Sequence, residues 1–246
     1  MTLADVIASV NRNVYNKNMD KPIAHAIFPT LIYTNQLGDR QALDHILEQE
    51  LKYYLFDADQ GIQGEYLGLA DMHLNPNLEP FYTRVTDNAK MYAETLGVDT
   101  ELFDFYTVKS TVSKLSRPDQ HFVSHKHYSS DISFIYYLRV PENSDSLFFQ
   151  DSNRSNELFG ALFDRDRDRS LLQEDNAFNR TRHWIEPKDG MLVMFPGKTS
   201  HGTANTTGIA CQGDRIAIVG DINLVLKRGQ NDWEMGKVSL DLWRRF

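Results

Sequence analysis

The sequence predicts a mainly β chain with N-terminal helices, arranged as a sandwich or jelly roll. Three observations carry that reading. From Phe103 onward, short segments rich in β-branched and aromatic residues follow one another; Pro, Gly, Asn and Asp punctuate them; and helical periodicity is confined to the first hundred residues. A βαβ sheet would need helices between successive strands, and the second half shows none.

In chain order, residues 1–24 read as a polar N-terminal arm with a short helix over Ala4–Val10. The run AIFPTLIYT from Ala26 is a strand, and Asn-Gln-Leu-Gly-Asp turns the chain after it. Residues 40–55 place Ala42, Leu43, Ile46, Leu47, Leu51 and Tyr54 at helical spacing. A second helix is expected over Leu78–Leu96, opened by Asn-Pro-Asn and closed by Gly97. The β segments are FYTVKSTVSKL, HFVSHKH, ISFIYYLRV, SLFFQ, HWIEP, MLVMFP and RIAIVGDINLVL. Between the fourth and fifth, residues 152–182 with their DRDRDR run are too polar for the core and form a surface segment, either a lid or a solvated insertion.

A single domain accommodates all of this: residues 1–100 as an N-terminal strand and helical layer, 101–226 as the jelly-roll core, and 227–246 as a C-terminal extension. Trp233, Trp243 and Phe246 in that extension fit docking on the core or on a second subunit of a homodimer.

Composition narrows the chemistry. Cys211 is the one cysteine, so disulfides and thiolate zinc sites are excluded and any metal must sit on His and carboxylate. A formal net charge of -8 argues against nucleic acid as a partner, because phosphate binding draws on clustered Lys and Arg. No apolar run approaches the roughly 20 residues that span a bilayer, and MTLADVIASV carries acid where a signal peptide needs base. The expected place of work is the cytoplasm.

In DQHFVSHKHYSSD, strand alternation puts His121, Val123, His125 and His127 on one face. A lone histidine is more often structural, but two at i and i+2 beside a turn can converge on one ion. Farther on, Asp189-Gly190 turns into an apolar strand, Pro196-Gly197 follows, and His201 lies just past the strand end. Arg215 then opens RIAIVGDI. An arginine there is costly to bury unless it meets a carboxylate or another partner.

The order IFPTLIY, H-x-H with SFIYYLRVP, DGMLVMFP-x-x-x-x-H and RIAI resembles the 2-oxoglutarate- and Fe(II)-dependent oxygenases of bacteriophages and marine bacteria. It covers residues 26–34 and about 115–223. The resemblance implies a double-stranded β-helix (cupin-like jelly roll). It implies Fe(II) on His125, His127 and His201, and 2-oxoglutarate held through its far carboxylate by Arg215, with Tyr137 or Tyr136 adding a hydrogen bond. It implies hydroxylation of an unidentified substrate with O2, releasing succinate and CO2. Most of the wider superfamily carries Asp or Glu where His127 stands, so Asp131 and Asp151 are alternative third ligands. His121 and Asp131 are candidates to orient the imidazoles. Two rivals stand beside this reading: a three-histidine cupin-type dioxygenase without 2-oxoglutarate, against which Arg215 argues, and a non-catalytic jelly-roll module. A zinc hydrolase fits worse, since no acid adjoins H-x-H as a general base.

Overall fold

The computed structural model describes residues 29–38, 40–54, 65–67, 70–160, 162–163, 171–174, 176–227 and 240. The chain divides into two compact units, residues 1–31 and 32–246, and the second holds the architecture that follows. The helix expected over Ala4–Val10, and the C-terminal extension apart from Leu240, lie outside the described residues.

Its strands are β1 (Tyr33–Gln36), β2 (Glu65–Leu67), β3 (Phe103–Leu115), β4 (Ile132–Arg139), β5 (Ser146–Gln150), β6 (Arg182–Ile185), β7 (Met191–Pro196), β8 (Ser200–Ala204) and β9 (Arg215–Leu226), with helices α1 (Arg40–Leu51) and α2 (Glu79–Thr95). They form a six-stranded sheet in the order β1-β7-β4-β9-β3-β2 and a three-stranded sheet β6-β5-β8. Every named strand pair is antiparallel. The fold is a double-stranded β-helix, mostly β with few helices.

Alternation in the large sheet decides what each face does. Opposite pairs Ser133↔Asp221, Ile135↔Val219 and Tyr137↔Ala217 join β4 to β9, and Ile135↔Val193 and Ser133↔Phe195 join β4 to β7. Directly paired residues project to the same side, so one face carries Ser133, Ile135, Tyr137, Val193, Phe195 and Ala217. Ile135, Tyr137, Val193, Phe195 and Ala217 form the inter-sheet core with Leu147 and Phe149 of β5. The opposite face takes the helices. Phe81 of α2 packs on Tyr136 with ring centroids 5.3 Å apart, and the Tyr136 hydroxyl donates to Asp44 of α1 at 2.8 Å. Because β4 is covered on both sides, seven of its eight residues are buried.

The helix α2 follows from its sequence. Glu79 occupies its first turn, Pro80 adjoins its start, and Phe81, Tyr82, Val85, Ala89, Tyr92 and Ala93 form a buried stripe. Gly97 then takes φ +82°, a left-handed residue just past a helix end. The predicted helix of residues 40–55 ends at Leu51, three turn residues follow, and Leu55 is outside the described residues.

One expectation needs correction. HFVSHKH is not a strand of either sheet: His125 makes only an isolated bridge to His201, and the stretch runs as an extended part of the β3–β4 connection. Conversely, His201 follows the end of β7 as expected but is itself in a strand. It belongs to β8, whose composition, Ser-His-Gly-Thr-Ala, gives little local β signal, so that its place is decided by pairing with β5.

Candidate metal centre

The site is built where the β3–β4 connection runs beside β8. The His125 N–H donates to the His201 carbonyl at 2.9 Å and the His201 N–H donates back at 3.0 Å. Above that pair, the Thr203 N–H donates to the Phe122 carbonyl at 2.9 Å, and the Phe122 N–H donates to Thr203 Oγ1 at 2.9 Å. Below it, the His127 N–H donates to the Gly197 carbonyl at 2.7 Å. Gly197 sits so close to the His127 segment that a Cβ there would collide with the carbonyl oxygens of Ser130 and His127. The backbone alone thus sets His125, His127 and His201 side by side.

One ring nitrogen from each of these histidines lies within 4.8 Å of the other two. The ring centroids are 4.3 Å apart for His125 and His201, and 5.2 Å for each of the other pairs. Each Nδ1 already has an acceptor: the Val123 carbonyl at 2.8 Å from His125, the Thr199 carbonyl at 3.0 Å from His201, and Asp221 Oδ1 at 2.6 Å from His127. Carbonyl and carboxylate oxygens can only accept, so each Nδ1 carries a hydrogen, and in a neutral ring Nε2 is then the nitrogen with the lone pair. Burial pushes the His201 imidazole down to about 3 and lowers His125 in the same direction. Both rings are therefore neutral at pH 7, the form that binds a metal.

Asp221 is 1% exposed. Ser133 Oγ donates to its Oδ1 at 2.7 Å and Lys109 Nζ lies 2.8 Å from its Oδ2. Burial pushes this carboxyl up, but the contacts with His127 and Lys109 outweigh it and hold the group far below the usual carboxylate range. It is ionised.

Arg215 is 4% exposed. Its Nη2 donates to the Tyr137 hydroxyl at 3.2 Å and its guanidinium lies over the Tyr137 ring, 4.9 Å from the centroid. Its Nε and Nη1 have no hydrogen-bond partner among the described residues. Asp145 is nearby, its carboxyl raised by burial against the pull of Arg215. His125, His127 and His201 line one pocket together with Ser113, Thr203 and Arg215.

The remaining sequence candidates fall elsewhere. Asp131 accepts from the Leu224 N–H at 2.9 Å and so ties the β3–β4 connection to β9. Asp151 accepts from the Asn153 N–H in a turn. Neither is part of the histidine group. His121 Nδ1 lies 3.3 Å from the Asp119 carbonyl and orients none of the three rings. Tyr136 faces the helices, whereas Tyr137 faces Arg215. Asp221 and Ser133 escaped the sequence reading, although the argument that singled out Arg215, a charge inside an apolar strand, applies equally to the aspartate of RIAIVGDI.

Residues 112–221 match the family model described as "Putative 2OG-Fe(II) oxygenase". Over that stretch the chain is similar to the 2OG-Fe(II) oxygenases, which are oxidoreductases. The match runs from within β3 through Asp221 and so contains His125, His127, His201, Arg215 and Asp221. The family's cofactors are Fe(II) and 2-oxoglutarate, and the three histidines are a donor set able to hold the metal. No curated protein is matched. Among solved structures, the chain resembles the non-heme alpha ketoglutarate dependent epimerase SnoN from nogalamycin biosynthesis, at 12% identity over 80% of each chain with a TM-score of 0.52. A prolyl-4-hydroxylase of Pseudomonas putida is 13% identical over 93% of this chain and 100% of its own, with a TM-score of 0.49. A 2OG-Fe(II) oxygenase family oxidoreductase from Burkholderia pseudomallei is 10% identical over 65% of this chain, which spans 62% of that protein, with a TM-score of 0.41. SnoN supports the fold. No helix of the described residues is long and apolar enough to cross a membrane.

Proposed function

We propose that the chain is a 2-oxoglutarate-dependent dioxygenase that holds Fe(II) on His125, His127 and His201, seats the cosubstrate's far carboxylate on Arg215, and hydroxylates a substrate with release of succinate and CO2. The observation that carries this reading is the shared cavity. Three imidazoles, each offering one ring nitrogen, line it together with a buried guanidinium whose Nε and Nη1 are unpartnered among the described residues. A buried arginine left in that state is costly, and a planar carboxylate satisfies two such donors at once.

The protein's own part is placement. Val123, Thr199 and Asp221 hold the imidazoles in one tautomer and orientation, so the ion meets three preset donors. Tyr137 steers Arg215 from behind, being itself fully buried. Phe122, Phe134, Ile135, Leu147, Phe195 and Val219 make the rest of the cavity wall largely apolar and limit water around the reacting groups. When bound, Fe(II) and 2-oxoglutarate supply the oxidative decarboxylation that activates O2, one oxygen atom ending in succinate and the other in the new hydroxyl group. Arg215 separates this reading from a cupin-type three-histidine dioxygenase, which needs no carboxylate anchor. The cytoplasm suits the acidic chain with its single cysteine. Kinship with oxygenases of bacteriophages and marine bacteria rests on the motif order.

The test is anaerobic titration of the metal-free protein with Fe(II) and 2-oxoglutarate, following the weak visible charge-transfer band that chelation produces. The band should appear, vanish in His201→Ala, and need more 2-oxoglutarate in Arg215→Met. Iron binding without the band would move the cupin-type reading ahead; absence of iron binding would end both.

A further inference from the structure

Three neutral imidazoles bring no negative charge to a divalent ion, whereas the two-histidine, one-carboxylate arrangement brings one. The structure puts a carboxylate one hydrogen bond behind the ring of His127. Asp221 lies on β9, and its opposite residues across the two neighbouring strands are Lys109 of β3 and Ser133 of β4. Cross-strand partners share a face, so Lys109, Asp221 and Ser133 form a row across three strands, and Ser133 lines the cavity with His127. A register shift between Thr107 and Lys109 sets this pairing. The bulge turns the half-exposed Lys109 onto the buried acid.

Resting on the three-histidine reading, we propose that Asp221 is a positioning residue that fixes His127 for the metal and supplies, through the imidazole, the anionic charge that the ligands themselves lack. Ser133 and Lys109 hold the carboxylate in place. Ser133 donates to the same oxygen that accepts from His127, which aims that oxygen. Lys109 takes the other oxygen, so its ammonium competes with the metal site for the charge of Asp221. A carboxylate behind a ligating histidine raises the donor strength of the ring nitrogen on the metal.

A merely structural role is the alternative, with Asp221 serving to tie β3, β4 and β9 together. The two roles predict opposite behaviour in two isosteric or near-isosteric variants. Binding of Co(II) alone to the full-length protein would be followed through its visible d–d absorption, with folding checked by circular dichroism. Asp221→Asn keeps an acceptor for His127 and Ser133 but removes the charge, and should weaken Co(II) binding by about 10- to 100-fold with a shifted d–d spectrum. Lys109→Met removes the competing cation and should leave Co(II) affinity unchanged or raise it. Should Asp221→Asn fail to fold, Ser133→Ala, which loosens the aim of the intact carboxylate, takes its place and should weaken Co(II) several-fold. Equal loss of thermal stability in the asparagine and methionine variants, with wild-type Co(II) affinity in each folded protein, would overturn the proposal and leave the strand tie. If the wild-type protein binds no Co(II), the three-histidine reading falls and this inference falls with it.

Discussion

At the scale of single residues, Arg215 and His201 each hold an uncomfortable state that the site explains. Arg215 is buried with two N–H groups unpaired among the described residues. Replacing it with methionine removes the proposed carboxylate anchor and also relieves a desolvation cost. We expect Arg215→Met to raise the 2-oxoglutarate dissociation constant by at least about tenfold, in line with a lost charge-assisted hydrogen bond, while melting no lower than wild type. Isothermal titration on the Co(II)-loaded protein and a melting curve decide it, and unchanged 2-oxoglutarate affinity would remove Arg215 from the site. His201 gives a pH dependence. Its folded-state pKa of about 3 lies below the ordinary histidine value of 6.5, so between these values the unfolded chain binds a proton that the folded chain does not. Its contribution is complete above pH 6.5 and is lost as the pH falls toward 3. Metal-free protein should therefore be less stable at pH 5 than at pH 7 by on the order of 2 kcal/mol from this group. Urea midpoints at the two pH values measure the difference, and His201→Gln should be flatter than wild type over the same range.

At the scale of elements, the junction between the β3–β4 connection and the β7–β8 turn matters more than either part. HFVSHKH has the alternation of a strand, yet it adds only a bridge and two flanking backbone bonds to the edge at β8. Gly197 permits this close approach. In Gly197→Ala the new methyl would run into the Ser130 and His127 carbonyls, and the His127 segment would have to move away. We expect Co(II) affinity to fall by at least about tenfold, since ligand geometry tolerates little displacement, with a smaller loss of overall stability than a core truncation. Retention of wild-type affinity would show that His127 is not held by this contact. The sequence placed Pro196-Gly197 between the apolar strand and His201, but which carbonyls approach the glycine is a long-range fact that no local pattern contains.

At the scale of the whole molecule, the large sheet separates two tasks by alternation: one face holds the inter-sheet core and the site, and the other binds the helices. Phe81 belongs to the second task, fully buried beneath α2 against Tyr136. Phe81→Ala should cost about 3–5 kcal/mol and lower the denaturation midpoint, while Co(II) affinity measured well below the melting temperature stays near wild type; a large loss of affinity would mean that the two faces are coupled. Metal binding draws on the first task. A ligand present at 100 times its dissociation constant stabilises the folded state by about 2.7 kcal/mol, which for a chain of this size raises the melting temperature by roughly 5–10 °C. Scanning calorimetry with and without Co(II) checks this shift, which should be absent in His201→Ala.

The sequence by itself determined the β-rich class, the two helices flanking the N-terminal side of the sheet, the exclusion of thiolate chemistry, and the candidate set His125, His127, His201 and Arg215. These are legible because periodicity, turn residues and costly buried charges are local properties. Tertiary structure decided what pairs with what. It made a strand of Ser200–Ala204, left 121–127 outside the sheets, turned Tyr137 rather than Tyr136 toward Arg215, and placed Asp221 behind His127. Asp221 and His127 are 94 residues apart, and they meet only because β9 pairs with both β3 and β4. That register is a property of the assembled sheet and of the burial it completes.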